Sequence, residues 1–248
     1  MMITAEELAD LGDAVVLCAS MGPNPPTHGI PGSHLADLEG DFSDPDNPLP
    51  HTAPADVQGL FETYGVSDGT PVVVYDDAEG ATAPRVWWLA KVAGINARVL
   101  DGGLRAWRDA GGEVCELSPP PGGGRLSSTV RPELLRNREQ VATDGRLVVD
   151  ARSAGRFAGT EPEPRPGLRP GHIPGSVNLP YTRVYDNGYL RTPEELQVLF
   201  AEVAGVRRDL TFSCGSGVTA CVNALAATVA GYEDLAVYEG SWSEWGAQ

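Results

Sequence analysis

Residues 214–220 read Cys-Gly-Ser-Gly-Val-Thr-Ala. A short apolar run containing Leu210, Thr211 and Phe212 precedes the string, and an alanine-rich stretch running to Val229 follows it. Strand, glycine-rich loop and helix in that order gather several backbone N–H groups and the positive end of a helix dipole around one point. A cysteine held there reacts as its thiolate, and the same donors stabilise any anion formed on it. Cys214 is therefore the candidate nucleophile. The amides of Gly215, Ser216, Gly217, Val218, Thr219 and Ala220 form its cradle, with the Ser216 and Thr219 hydroxyls as further donors. Both hydroxyls have a second reading as caps of the following helix, and a buried cysteine is ordinarily a small core residue. The placement between strand and helix favours the nucleophile. Cysteine phosphatases need an arginine six residues after the cysteine to bind phosphate oxygens bidentately. That position is Ala220, which argues against that chemistry.

The elements that must position this loop occur twice. Residues 14–17 (Ala-Val-Val-Leu) and 147–150 (Leu-Val-Val-Asp) are short apolar runs suited to buried parallel strands. Each is followed by Ile-Pro-Gly, at 30–32 and at 173–175. The run at 72–77 (Val-Val-Val-Tyr-Asp-Asp) parallels the strand entering Cys214, and helical stretches follow each, with Gly94 and Gly231 as C-caps. Short strands alternating with helices predict an α/β fold of two tandem copies, each a doubly wound parallel sheet flanked by helices. A Pro/Gly/Ser tract at 118–128 reads as the linker, giving domains at 1–117 and 129–248. Where the second copy has Cys214 the first has Asp76 or Asp77. A carboxylate cannot act as a thiolate nucleophile, so the first copy is expected to be catalytically inactive.

Bulk properties exclude several classes. A formal charge of −16 on 248 residues opposes nucleic acid or an anionic membrane as partner, and no apolar run approaches the ~20 residues of a membrane span. The N-terminus lacks the basic and apolar regions of a signal peptide, and Cys18, Cys115, Cys214 and Cys221 show no disulfide or zinc spacing. The expectation is a cytoplasmic protein without a metal site. Cys221, two helical turns past Cys214, reads as a small core residue.

The 214–220 string resembles the active-site loop of the rhodanese superfamily, and within it the 3-mercaptopyruvate sulfurtransferases. Further strings resemble family signatures in family order: Ala-Pro-Arg-Val-Trp-Trp at 83–88, Leu-Asp-Gly-Gly-Leu at 100–104, Gly-Arg-Phe-Ala-Gly-Thr-Glu-Pro-Glu-Pro-Arg at 155–165, Gly-His-Ile-Pro-Gly at 171–175 and Gly-Ser-Trp-Ser-Glu-Trp at 240–245. The resemblance implies two rhodanese-like domains with one catalytic site, in the C-terminal copy. It implies sulfur transfer from 3-mercaptopyruvate through a persulfide on Cys214 to a thioredoxin-like dithiol or cyanide, with release of pyruvate and no cofactor. Arg156 and Arg165 match the family's substrate-binding pair. On residue type alone the favoured reading is a surface salt bridge to Glu161 or Glu163, worth under ~1 kcal/mol; the intact motif turns the reading to substrate binding. Ser216, His51 and Glu39 match a serine–histidine–acid relay reaching in from the first domain, with Glu39 where an aspartate is usual. Lone histidines are more often structural, and His172 reads as packing beneath the loop. Thiosulfate-preferring relatives carry basic residues where this chain has Gly215 and Ser216, so thiosulfate:cyanide transfer is the alternative. A low-turnover sulfur-carrier or protein-binding module is a further one.

Overall fold

A computed structural model describes residues 1–247 of the chain. The chain divides into two compact units. The first comprises Met1–Asp46 and Ala53–Pro132; the second comprises Asn47–Thr52 together with everything from Glu133 onward.

The first unit is built on a five-stranded sheet in the order Met2–Ile3, Ala97–Leu100, Val72–Asp76, Val15–Ser20, His34–Asp37. Every pairing is parallel. The second unit repeats that order with Leu135–Arg136, Leu235–Tyr238, Leu210–Ser213, Leu147–Asp150 and Val177–Asn178, again all parallel. The central strands Val72–Asp76 and Leu210–Ser213 are buried along their whole length. Burial on both faces explains why they read as continuous rather than alternating apolar runs. After each comes a ten-residue helix, Ala83–Val92 and Ala220–Val229. Gly94 (φ 79°) and Gly231 (φ 87°) terminate these helices in the left-handed conformation that glycine adopts without steric cost.

The boundary expectation needs correction. The tract at 118–128 is not a free linker but is strapped to the first unit. The Gly122 and Gly124 amides donate to the Thr63 and Glu62 carbonyls at 2.9 and 3.0 Å, and the Leu126 amide donates to the Glu62 carboxylate at 2.7 Å. Ser127 donates to the Asp68 carboxylate from both its amide and its hydroxyl. The composition correctly signals irregular backbone, but backbone carbonyls and side chains more than fifty residues away supply its partners. The division accordingly falls after Pro132, and the segment Asn47–Thr52 leaves the first unit for the second.

Beside the first unit's central strand, Cys18 is fully buried. Burial pushes its thiol up to about 11; a hydrogen bond to Tyr75 opposes this, and Asp76 and Asp77 add smaller upward pushes. Cys115 is exposed, and all four cysteines are free thiols. Alkylation at pH 8 should therefore label Cys115 within minutes while Cys18 stays unmodified until denaturant is added. Mass mapping of the labelled peptides checks this, and rapid native labelling of Cys18 would show that its strand opens readily.

Candidate active site

In the second unit Leu210–Ser213 lies between Leu147–Asp150 and Leu235–Tyr238 and delivers Cys214 at its C-terminal end. This is the edge where open parallel sheets place their ligands. Cys214 is 2% exposed. Its amide donates to the Ser241 hydroxyl at 3.1 Å, which in turn donates to the Tyr238 carbonyl at 2.8 Å. The Cys214 carbonyl accepts from the Trp242 amide at 3.0 Å. The Gly215 carbonyl accepts from the Ser243 amide at 2.9 Å and its hydroxyl at 2.7 Å. The short helix Ser241–Trp245 thus engages the loop's acceptors. The six amides from Gly215 to Ala220 have no protein acceptor among the described residues. Buried donors are ordinarily paired, so this run of open amides is a cradle for an anion or a sulfur atom. Gly217 (φ 79°) must be glycine, because a Cβ there would also lie 2.9 Å from the Glu239 carbonyl oxygen.

The equivalent loop of the first unit is closed by its own carboxylate. Asp76 is 2% exposed and accepts from the amides of Ala78, Gly80, Thr82 and Ala83 at 2.7–3.0 Å, and from the Thr82 hydroxyl at 3.1 Å. Asp77 instead turns outward, 3.6 Å from Arg108. The spacing of 137 between the helices beginning at Ala83 and Ala220 places Asp76 opposite Ser213, whose buried hydroxyl has no partner.

The two relay residues that fall in the second unit meet. His51 is buried, adopts φ 60°, and its Nδ1 lies 2.9 Å from the Ser216 hydroxyl. A non-glycine residue in the left-handed region stores strain that the surroundings must hold in place. Ser216 is therefore engaged with His51 instead of capping the helix, and Thr219 makes no side-chain cap either. Glu39 belongs to the first unit, exposed in the turn after His34–Asp37, with its amide on the Asp37 carboxylate at 2.9 Å.

Both candidate arginines approach the loop. A Cβ built on Gly215 would lie 3.1 Å from Arg156 Nη2 and 3.9 Å from Arg165 Nη1. Arg165 is exposed. Arg156, on the helix Ala154–Ala158, pairs with Glu163 at 2.7 Å, so the ion pair expected as an alternative exists. It is not a surface pair, because the Glu163 side chain is only 3% exposed. Sequence reasoning missed what stands behind it. Arg152 is 2% exposed and reaches Glu163 at 2.8 Å, the buried Asp150 carboxylate at 2.6 Å and the Gly171 carbonyl at 2.9 Å. Its guanidinium lies 4.5 Å from the Trp242 ring centroid. The Asp-x-Arg at the end of the apolar run 147–150 was the available signal, since a charged pair closing a buried strand must be satisfied internally. His172 is exposed and stacks on Phe157 at 4.0 Å, so it does not pack beneath the loop.

The chain is 41% identical over 230 residues to a 3-mercaptopyruvate sulfurtransferase of Mus musculus, spanning 87% of this chain and 76% of the relative. It is 39% identical over 230 residues to a thiosulfate sulfurtransferase of Rattus norvegicus, with the same coverage. The solved 3-mercaptopyruvate sulfurtransferase from Leishmania major superposes with a TM-score of 0.84 at 28% identity, covering 99% of this chain and 74% of that one. The rhodanese-like domain model matches twice, at residues 26–110 and 131–248. The chain therefore belongs to the rhodanese family.

Proposed function

We propose that the chain is a sulfurtransferase that takes sulfur from 3-mercaptopyruvate. The observation that carries this reading is the neutral loop of open amides around Cys214, with two guanidinium groups beside Gly215. A compact dianion calls for cations within the loop. An α-keto acid thiol presents a carboxylate and a ketone, which suit two arginines set back from the sulfur.

The Cys214 thiolate attacks the thiol sulfur of the donor. The C–S bond breaks with its electron pair passing to carbon, giving the enolate of pyruvate, while Arg156 and Arg165 hold the carboxylate and carbonyl. The thiol proton reaches the enolate carbon through Ser216 and His51, and pyruvate leaves a persulfide anion in the amide cradle. An acceptor then attacks the outer sulfur and restores the thiolate. Cyanide leaves as thiocyanate, and a thioredoxin-like dithiol takes the sulfur as its own persulfide. Sulfur travels as a covalent cysteine persulfide, so no resident cofactor enters the cycle. The cytoplasm is the compartment that suits four free thiols. Among the described residues no helix is long and apolar enough to cross a membrane.

Thiosulfate is the second reading, favoured by the 39% identity to the rat thiosulfate enzyme. Initial rates of thiocyanate formation with each donor decide. The expected result is a kcat/KM at least about a hundredfold higher for 3-mercaptopyruvate. Preference for thiosulfate overturns the reading, and activity with neither donor assigns the chain to sulfur carriage or protein binding.

A further inference from the structure

We propose that Glu163 sets the charge of the donor this site accepts, restricting it to one negative charge. The inference deepens the reading of Cys214 as a sulfur-accepting site. Three cations converge behind and beside the loop: Arg152, Arg156 and Arg165. Asp150 chelates Arg152 through both carboxylate oxygens, at 2.6–3.1 Å, and cancels its charge. Glu163 places one oxygen 2.8 Å from Arg152 Nη1 and the other 2.7 Å from Arg156 Nη2. Two carboxylates against three guanidinium groups leave a surplus of one positive charge next to Gly215.

Burial gives the Glu163 charge its weight. The Glu163 side chain is 3% exposed and Arg152 is fully buried, so water screens their fields poorly. Arg156, by contrast, is 24% exposed in its side chain and free to meet a donor. The amide cradle serves the Cys214 thiolate, so the surplus is left for the donor: a monoanion neutralises it, whereas a dianion leaves a net negative charge beside the buried Glu163. Glu163 is engaged by Arg152 and Arg156. It acts through Arg156, as a positioning and charge-setting residue.

The test uses two donors that undergo the same reaction but differ by one charge, thiosulfate and methanethiosulfonate. With either, the thiolate attacks the outer sulfur, the S–S bond breaks, and sulfite or methanesulfinate leaves with the electron pair. Cyanide then removes the sulfur. Each kcat/KM is divided by the rate constant for that donor's uncatalysed reaction with cyanide. In Glu163→Gln the thiosulfate-to-methanethiosulfonate ratio should rise about tenfold, a change of about 1.4 kcal/mol. Glu163→Asp, which keeps the charge, should hold the unsubstituted ratio even where both rates fall. If both donors lose rate equally in Glu163→Gln, the residue only aims Arg156 and the proposal fails. Should Glu163→Gln not fold, the unsubstituted enzyme decides: its normalised rate must favour the monoanion, and a preference for thiosulfate overturns the charge rule. A failure of 3-mercaptopyruvate turnover bears on the donor assignment alone, because neither sulfonyl donor requires it.

Discussion

Cys214→Ser should lower sulfur transfer by at least about 10⁴-fold with every donor, while the protein folds as before. The loss corresponds to about 5.4 kcal/mol in activation free energy, at ~1.36 kcal/mol per decade. Two features make it that large. Sulfur transfer through a persulfide needs a sulfur atom on the enzyme, and a serine hydroxyl cannot supply one. Nor can the hydroxyl be activated as a substitute nucleophile, because the one imidazole in the loop's hydrogen-bond network is engaged with Ser216. The fold is spared because the contacts that hold position 214 run through its backbone. The amide donates to Ser241 and the carbonyl accepts from Trp242, and both survive the substitution. Intact-mass spectrometry after exposure to donor without acceptor checks the chemistry directly. The unsubstituted protein should gain the mass of one sulfur atom, located on the peptide carrying Cys214, and the variant should gain none. Residual turnover within about tenfold of the parent, or sulfur found on Cys115, would place the nucleophile elsewhere.

How much of this was legible in the sequence depends on the range of the interaction involved. The strand, loop and helix around Cys214 were legible because each rests on local signals: a buried apolar run, glycines at tight positions, then strong helix formers. The duplication was legible for the same reason, and both sheets share one strand order. Arg156 and Arg165 were legible only through the string that contains them. What escaped depends on contacts made across the fold. Glu163 could be read as the partner of an arginine, but its 3% exposure comes from Arg152, which approaches from the strand end eleven residues earlier. The tract at 118–128 has the composition of a linker, yet Glu62 and Asp68 bind it down. Whether Asp76 or Asp77 closes the first copy's loop stayed open, because adjacent carboxylates look alike until one turns inward.

That choice leads to the second large effect, an expected loss of about 3–5 kcal/mol in stability for Asp76→Ala. Two neighbouring carboxylates in the first unit share a charge and differ almost completely in environment. Asp77 sits half-exposed, 3.6 Å from a half-exposed Arg108, so Asp77→Ala should cost under ~0.5 kcal/mol. Asp76 is buried and accepts from four loop amides and the Thr82 hydroxyl. Hydrogen bonds to a charged group contribute about 1.5–3 kcal/mol each, and a buried donor left unpaired costs about 1–3 kcal/mol. The loop can turn some amides to water, which is why the expected loss falls below the sum. Asp76→Asn keeps the shape and one strong acceptor and should lose roughly half as much. Urea unfolding followed by tryptophan fluorescence measures all three, with Trp87, Trp88 and Trp107 reporting the first unit and Trp242 and Trp245 the second. A single shared transition and separate transitions are equally informative, provided the earliest midpoint falls for Asp76→Ala and not for Asp77→Ala. Equal small losses for both variants would mean that the loop holds its shape without its carboxylate. The first copy would then be a cradle merely occupied by Asp76, and the open amides around Cys214 would owe nothing to the sulfur they receive.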